Sequence, residues 1–210
     1  MEEERISFEV KEARIEGLLS LDEESTKGAV IICHPHPLFG GTMDNSVVTA
    51  VARIAAMWDF TSLRFNFRGV GASTGTFGGG TAEQADVKGA IDYLEEERKP
   101  PVILVAGYSF GAIAGLPVGV DDQRIRGLIG VAPPLEMLDF GFLRECPKPK
   151  LFVCGDRDDI CPPSKMEKFF ETLSEPKWLR ILPGIDHFHY DRKGLLEGAI
   201  GDFLERMAQP

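Results

Sequence analysis

Gly107-Tyr108-Ser109-Phe110-Gly111 is a Gly-x-Ser-x-Gly pentapeptide with an apolar run, residues 102–106, before it and a run of small residues, 112–116, behind it. A strand, this pentapeptide and a helix in that order make a nucleophile elbow. The turn is so tight that the central serine takes strained backbone angles and its neighbours must be small. The chemistry such a turn offers is attack of a serine hydroxyl on an acyl carbon. A hydroxyl is a weak nucleophile until a base takes its proton, and the base needs a third group to orient it. Both are available further along the chain. The apolar run 150–154 empties into Gly155-Asp156-Arg157-Asp158-Asp159, and the run 178–182 empties into Pro183-Gly184-Ile185-Asp186-His187-Phe188-His189. Serine, then acid, then histidine is the chain order that accompanies this elbow. Of the two histidines, His187 directly follows the strand end, whereas His189 falls two residues on, in the following loop.

These side chains can meet only if the strands that carry them lie side by side with their ends on one edge of a sheet. The patterning predicts that arrangement. Alternating segments at 6–10 and 13–21 predict an antiparallel hairpin. A polar loop at 22–28 leads to a solidly apolar strand at 29–33, of the kind buried on both faces. A helix is expected at 46–58, with Val47, Val48, Val51, Ile54 and Ala55 on one face. A strand at 61–67, a helix at 82–97 and the elbow strand follow, then strands at 125–131 and 150–154, a helix at 164–173, a strand at 178–182 and a helix at 193–207. Strands alternating with helices predict an α/β fold with a mainly parallel sheet covered on both faces. No repeat or linker divides residues 1–210, so a single domain is expected.

At 210 residues, a domain buries about 70% of the surface its unfolded chain exposes. The net charge of −10 argues against nucleic acid, which demands a basic face. The start, Met1-Glu2-Glu3-Glu4-Arg5, lacks the basic and apolar regions of a signal peptide, and no apolar run reaches the length of a membrane span. A cytoplasmic protein without a membrane partner is the expectation. Four cysteines, at 33, 146, 154 and 161, include no Cys-x-x-Cys pair and are expected to be reduced and inert.

Two further strings make a family resemblance specific: His34-Pro35-His36-Pro37-Leu38-Phe39-Gly40-Gly41-Thr42-Met43-Asp44-Asn45 and Arg64-Phe65-Asn66-Phe67-Arg68-Gly69-Val70-Gly71-Ala72-Ser73. With the elbow they make the chain resemble, over essentially its whole length, the α/β-hydrolase superfamily, and within it a group of small bacterial and archaeal hydrolases related to dienelactone hydrolase. The resemblance implies an α/β-hydrolase fold, a three-layer sandwich with a mostly parallel sheet of about eight strands and no cap domain. It implies Ser109 as nucleophile and His187 as base. Its Gly-x-x-Asp pattern before a proline-started helix fits Gly155, Asp158 and Pro162, and so points to Asp158 as the orienting acid. Asp156 then lies too close to the strand end, and Asp159 points away or caps the next helix. The family's oxyanion hole takes one N–H from the residue after the nucleophile, here Phe110, and one from the first string. Pro35 and Pro37 have no N–H to give, which leaves His36.

Other readings of these residues stand beside that one. His34 and His36 form a His-x-His pair that can ligate zinc, although no third ligand clusters locally. Gly69, Gly71 and Gly75 miss the dinucleotide spacing by one residue; a tight turn held by Arg68 and Ser73 is expected instead. Asn66 stands where the family usually has Asp. Gly78-Gly79-Gly80 reads as a flexible loop in preference to a phosphate cradle. Only residues 132–149 separate two strands where caps are often inserted, room for a short flap in which Leu135, Met137, Leu138, Phe140 and Phe142 shape an apolar entrance. The function implied is hydrolysis of a carboxylic ester or related acyl bond of a small molecule through an acyl-enzyme, without a cofactor. Dehalogenase chemistry would use an aspartate at the elbow, and dienelactone hydrolase itself usually a cysteine. Thioesterase, amidase or acyltransferase activity would use the same residues, and a non-catalytic scaffold would keep the same fold. The expected partner is a small-molecule acyl substrate, with a homodimer left open.

Overall fold

The computed structural model describes residues 2–21, 27–188 and 194–209. Its eight strands form one sheet: β1 (Glu2–Val10), β2 (Ala13–Leu21), β3 (Gly28–Cys33), β4 (Phe60–Phe65), β5 (Ile103–Tyr108), β6 (Ile125–Val131), β7 (Lys150–Gly155) and β8 (Lys177–Leu182). Their order is β1-β2-β4-β3-β5-β6-β7-β8. β1 and β2 are a hairpin in register from Glu2 opposite Leu21 to Val10 opposite Ala13. β2 joins β4 antiparallel, and every later pairing is parallel. Strand β5, which leads into Ser109, thus lies inside the sheet, between β3 and β6.

Five helices cover the sheet: α1 (Ser46–Met57), α2 (Thr81–Glu97), α3 (Phe110–Asp121), α4 (Pro163–Glu171) and α5 (Leu195–Met207). Adjacent residues of β5 show why strands β3 and β5 are buried throughout. Val105 lies beneath Gly119 of α3, while its neighbour Leu104 shares the opposite face with Phe203 and Met207 of α5. α1 packs with α5 on that second face, and α2 with α3 on the first. The buried side of α1 is Val47, Val48, Val51, Ala52, Ile54 and Ala55, as its periodicity predicts, and Asn45 caps it by accepting the N–H of Val47 at 2.9 Å. Among the described residues no helix is long and apolar enough to cross a membrane.

The alternation expected from sequence is present element for element; the ends differ. β4 stops at Phe65, two residues short of the expected strand, because the N–H of Phe67 leaves the ladder and donates to His34 Nε2 at 3.0 Å. β5 runs on to Tyr108, which still pairs with Val131 of β6. α4 starts at Pro163 and ends at Glu171. His189 and Lys193 lie outside the described residues, as does most of the polar loop at 22–26. The four cysteines are free and buried. Burial pushes the Cys33 thiol up, and for Cys161 the hydrogen bond to Cys154 acts first, with burial adding to it.

Candidate active site

Ser109 sits between the end of β5 and the start of α3 with φ 52° and ψ −117°. These are angles that a non-glycine residue adopts only when its surroundings impose them. Here the surroundings do so: the Ser109 N–H donates to Val131 O on β6 at 2.9 Å. Gly111 is required by close approach, since a Cβ there would stand 2.1 Å from Cys33 O at the end of β3. The elbow is therefore wedged between the ends of both neighbouring strands, and its serine projects above the sheet edge.

His187 and Asp158 are brought to that serine by the loops after β8 and β7. His187 Nε2 lies 2.9 Å from Ser109 Oγ, and its Nδ1 lies 3.0 and 2.9 Å from the two carboxylate oxygens of Asp158. Asp158 is buried, and its Oδ1 also accepts the N–H groups of Ile160 at 2.9 Å and Cys161 at 2.7 Å. Those two backbone donors hold the carboxylate still. With Nδ1–H facing Asp158, Nε2 is left bare toward the serine hydroxyl, the tautomer that can accept its proton.

The neighbouring aspartates have different places. Asp156 Oδ1 accepts the N–H of Gly184 at 2.6 Å and ties the two loops together. Gly155 allows that approach, because a Cβ there would lie 1.9 Å from Ile185 O. Asp159 is exposed and caps nothing: α4 has Pro162 at its cap position and no side-chain cap bond. Of the two outcomes expected for Asp159, pointing away is the one found.

Tyr108 has a role that no sequence signal marks. Its hydroxyl donates to His187 O at 2.8 Å, so the residue before Ser109 also anchors the backbone of His187. Only a variable position of the pentapeptide and the fold's end-to-end geometry lead to it.

On the other side of Ser109, the loop after β3 carries His36 into a short 3-10 turn, Pro37–Phe39. The ring of His36 packs against Phe39, Phe77 and Phe110 at centroid distances of 4.7, 5.1 and 4.8 Å. Its Nδ1 accepts the N–H of Leu38 at 3.2 Å, and its carbonyl accepts those of Phe39 and Gly41 at 3.1 and 3.0 Å. Desolvation lowers the His36 pKa, against the pull of Glu83. Among the described residues neither the N–H of His36 nor that of Phe110 donates a hydrogen bond. Both residues line the cleft that contains Ser109.

His34 is not a ligand in waiting. It is fully buried, with Nδ1 2.6 Å from Pro35 O and Nε2 accepting from Phe67 N–H at 3.0 Å, so neither nitrogen is left for a metal. Burial pushes its pKa down to about 4, opposed by the Pro35 carbonyl. Its neutral ring joins the end of β3 to the chain leaving β4.

The two long sequence strings interlock. Asn66 Oδ1 accepts the N–H of Met43 at 2.8 Å, and Arg64 donates to Met43 O at 3.0 Å while gripping Glu3 with Nε and Nη2. Asn66 Nδ2 donates to Glu16 Oε1 at 2.7 Å. An aspartate at 66 would set two carboxylates against each other there, which accounts for the departure from the family pattern. Arg68 pairs with buried Asp86 at 2.6 Å, and Ser73 donates to Asn66 O at 2.7 Å, holding the turn as expected. The glycine run is not flexible: the N–H groups of Gly78 and Gly80 are held by the fully buried carboxylate of Glu83 at 2.8 and 2.7 Å. Those donors are thereby withdrawn from any phosphate. Phe77, just before the run, packs on the His36 ring.

The cleft over Ser109 has a volume of about 440 Å³. Of the flap residues expected to shape it, only Met137 does so, joined by Pro134. Leu135 and Phe140 turn inward into the core, and Leu138 and Phe142 lie outside the cleft. The entrance is shaped instead by Phe39, Ile113, Ile160 and Phe188.

An eight-stranded, mostly parallel sheet with a serine elbow at its centre, an acid and a histidine after β7 and β8, and only 18 residues, 132–149, between β6 and β7 is the α/β-hydrolase fold without a cap. The chain belongs to the α/β-hydrolase superfamily. It is 35% identical to an α/β serine hydrolase homologue from Coxiella burnetii, with a TM-score of 0.86 over 98% of this chain and 97% of that one. It is 30% identical to an α/β serine hydrolase without lid from Xanthomonas campestris, with a TM-score of 0.88 over 98% and 95% of the two chains. An uncharacterized protein of Rickettsia prowazekii is 32% identical over 209 residues, 95% of this chain and 88% of its own length. No family model matches the sequence.

Proposed function

We propose that the protein hydrolyses a carboxylic ester or related acyl bond of a small molecule through an acyl-enzyme on Ser109. The observation that supports this most directly is the chain of contacts from Ser109 Oγ to His187 Nε2 at 2.9 Å and from His187 Nδ1 to Asp158 at 2.9 Å. In the first half-reaction Ser109 Oγ attacks the carbonyl carbon as its proton passes to His187 Nε2. The carbonyl π electrons move to oxygen, and the N–H groups of His36 and Phe110 receive the oxyanion. A donor of this kind contributes about 2.7–4 kcal/mol to the transition state. The tetrahedral species then collapses: the bond to the leaving group breaks, and that group takes the proton from His187. In the second half-reaction His187 removes a proton from water, water attacks the acyl-serine, and the acid leaves as Oγ regains its proton. Asp158 faces the positive imidazolium formed in each half-reaction and stays unprotonated. The names of the serine hydrolase relatives agree with this chemistry.

The experiment is labelling with a fluorophosphonate. Intact protein gains one adduct, mapped to the peptide containing Ser109, and Ser109→Ala gains none. Labelling at another residue, or none in folded protein, sinks the reading.

A further inference from the structure

We infer that the substrate is an uncharged ester whose alcohol half is aromatic or bulky and apolar, and that Phe188 is the residue that selects it. The inference rests on the hydrolase reading above and names the side of the cleft that the leaving group occupies. In that reading the leaving oxygen receives its proton from His187 Nε2. The group attached to that oxygen must therefore pass the side chain beside the His187 ring. Two rings flank the imidazole, Tyr108 at a centroid distance of 6.0 Å and Phe188 edge-on at 5.9 Å; Tyr108 is buried and Phe188 exposed, so Phe188 is the one the leaving group meets.

Phe188 is 61% exposed, and it is not alone at the mouth: Phe39, against the His36 ring, is 83% exposed, and Met137 is 67% exposed. All three line the same cleft as Ser109. Large apolar side chains left open to water around one concavity mark a binding site; scattered singly they would carry no meaning. The base, the oxyanion side and the flap each contribute one, so a flat apolar group entering the cleft covers surface from three separate loops.

The charge pattern selects among apolar ligands. Among the described residues no Lys, Arg, Asp or Glu lines this cleft. A carboxylate on the leaving group would lose water against phenyl rings with no cation to replace it, an unfavourable exchange. The chain's net charge of −10 adds repulsion of anions at long range. An uncharged alcohol half meets neither obstacle.

The test compares phenyl acetate with 4-acetoxybenzoate. The two share an acyl group and have leaving groups of similar reactivity, and differ in the negative charge. In the wild-type protein kcat/KM for phenyl acetate exceeds that for 4-acetoxybenzoate by about tenfold or more, carried by KM, the scale expected of a hydrophobic pocket. Phe188→Ala lowers kcat/KM for phenyl acetate by about tenfold while changing that for methyl acetate little, and Phe188→Leu recovers part of the loss. Phe188→Lys shifts the ratio toward 4-acetoxybenzoate. A change in His187 position alone would lower all three substrates together and leave the ratios intact, and that result overturns the assignment. Equal rates on the two aryl esters in protein that labels at Ser109 overturn this inference and leave the hydrolase reading standing. Loss of both labelling and turnover overturns both. A dimer in sedimentation equilibrium that dissociates in Phe39→Ala and Phe188→Ala would assign the rim to a second copy of the chain and overturn the substrate assignment.

Discussion

Tyr108 and His187 are 79 residues apart in the chain and joined by one hydrogen bond, from the Tyr108 hydroxyl to the His187 carbonyl at 2.8 Å. Tyr108 thus holds His187 by the backbone, while Asp158 holds the same residue by the ring. Two independent tethers fix where Nε2 stands. Removing the backbone tether in Tyr108→Phe leaves the ring bond to Asp158 in place. Loss of such a buried bond costs about 1 kcal/mol of stability. Urea unfolding together with kcat on an acyl ester measures both effects, and the expected fall in kcat is far smaller than for loss of Asp158.

Asp158→Asn is the larger change. An amide at 158 can keep its oxygen toward the N–H groups of Ile160 and Cys161, so the loop survives, but the imidazole is offered the wrong tautomer. Turnover is expected to fall by about 10⁴-fold, following the serine-protease template. Asp156→Asn keeps an oxygen for Gly184 N–H, and Asp159→Asn alters an exposed group, so each is expected within about 0.5 kcal/mol of wild type. Near-normal kcat in Asp158→Asn with an inactive Asp156→Asn would move the acid by two residues.

His34 makes stability depend on acid. Its folded pKa is pushed down to about 4 from the ordinary 6.5, so between those values the unfolded chain binds a proton that the folded chain refuses. Stability is therefore full above pH 6.5, declines as the pH falls through that window, and levels off below about 4. The size is of order 3 kcal/mol at about 1.4 kcal/mol per pKa unit. Urea midpoints at pH 7.5, 5.5 and 4.5 for wild type and His34→Gln test this. The variant begins less stable, having lost the bond to Phe67 N–H geometry, and shows a flatter acid limb.

The cleft has no cap above it, since only residues 132–149 stand between β6 and β7. Short, soluble acyl esters should be turned over without a lag, and adding an emulsified interface should not raise the rate. A marked increase on emulsified long-chain triglyceride would contradict an open site.

The interlock of Asn66 with Glu16 and Met43 gives a fifth expectation. Asn66→Asp sets a second carboxylate 2.7 Å from Glu16 Oε1 and is expected to destabilise by about 1–3 kcal/mol at neutral pH. Glu16→Gln should restore most of that loss, which thermal melts of the single and double variants can read.

The amino-acid sequence by itself determined the order and kind of the elements, because apolar runs of strand length and helical faces such as that of α1 are local patterns. It also determined the elbow and the chain order of serine, acidic loop and histidine, since each stands at a strand end that composition marks. What it left open were choices made between segments far apart in the chain. Asp156 and Asp158 are two residues apart on one loop, and only the approach of the β8 loop at Gly155 decides that one ties the loops while the other faces the imidazole. Tyr108 meets His187 and Asn66 meets Glu16 for the same reason: these partners lie 79 and 50 residues apart, and contact between them depends on how eight strands are ordered, which no local pattern encodes. The flap shows the limit most clearly. Leu135, Met137 and Phe140 are equally apolar in sequence, yet Leu135 is buried, Phe140 is buried against Phe169 of α4, and of the three Met137 alone reaches the cleft.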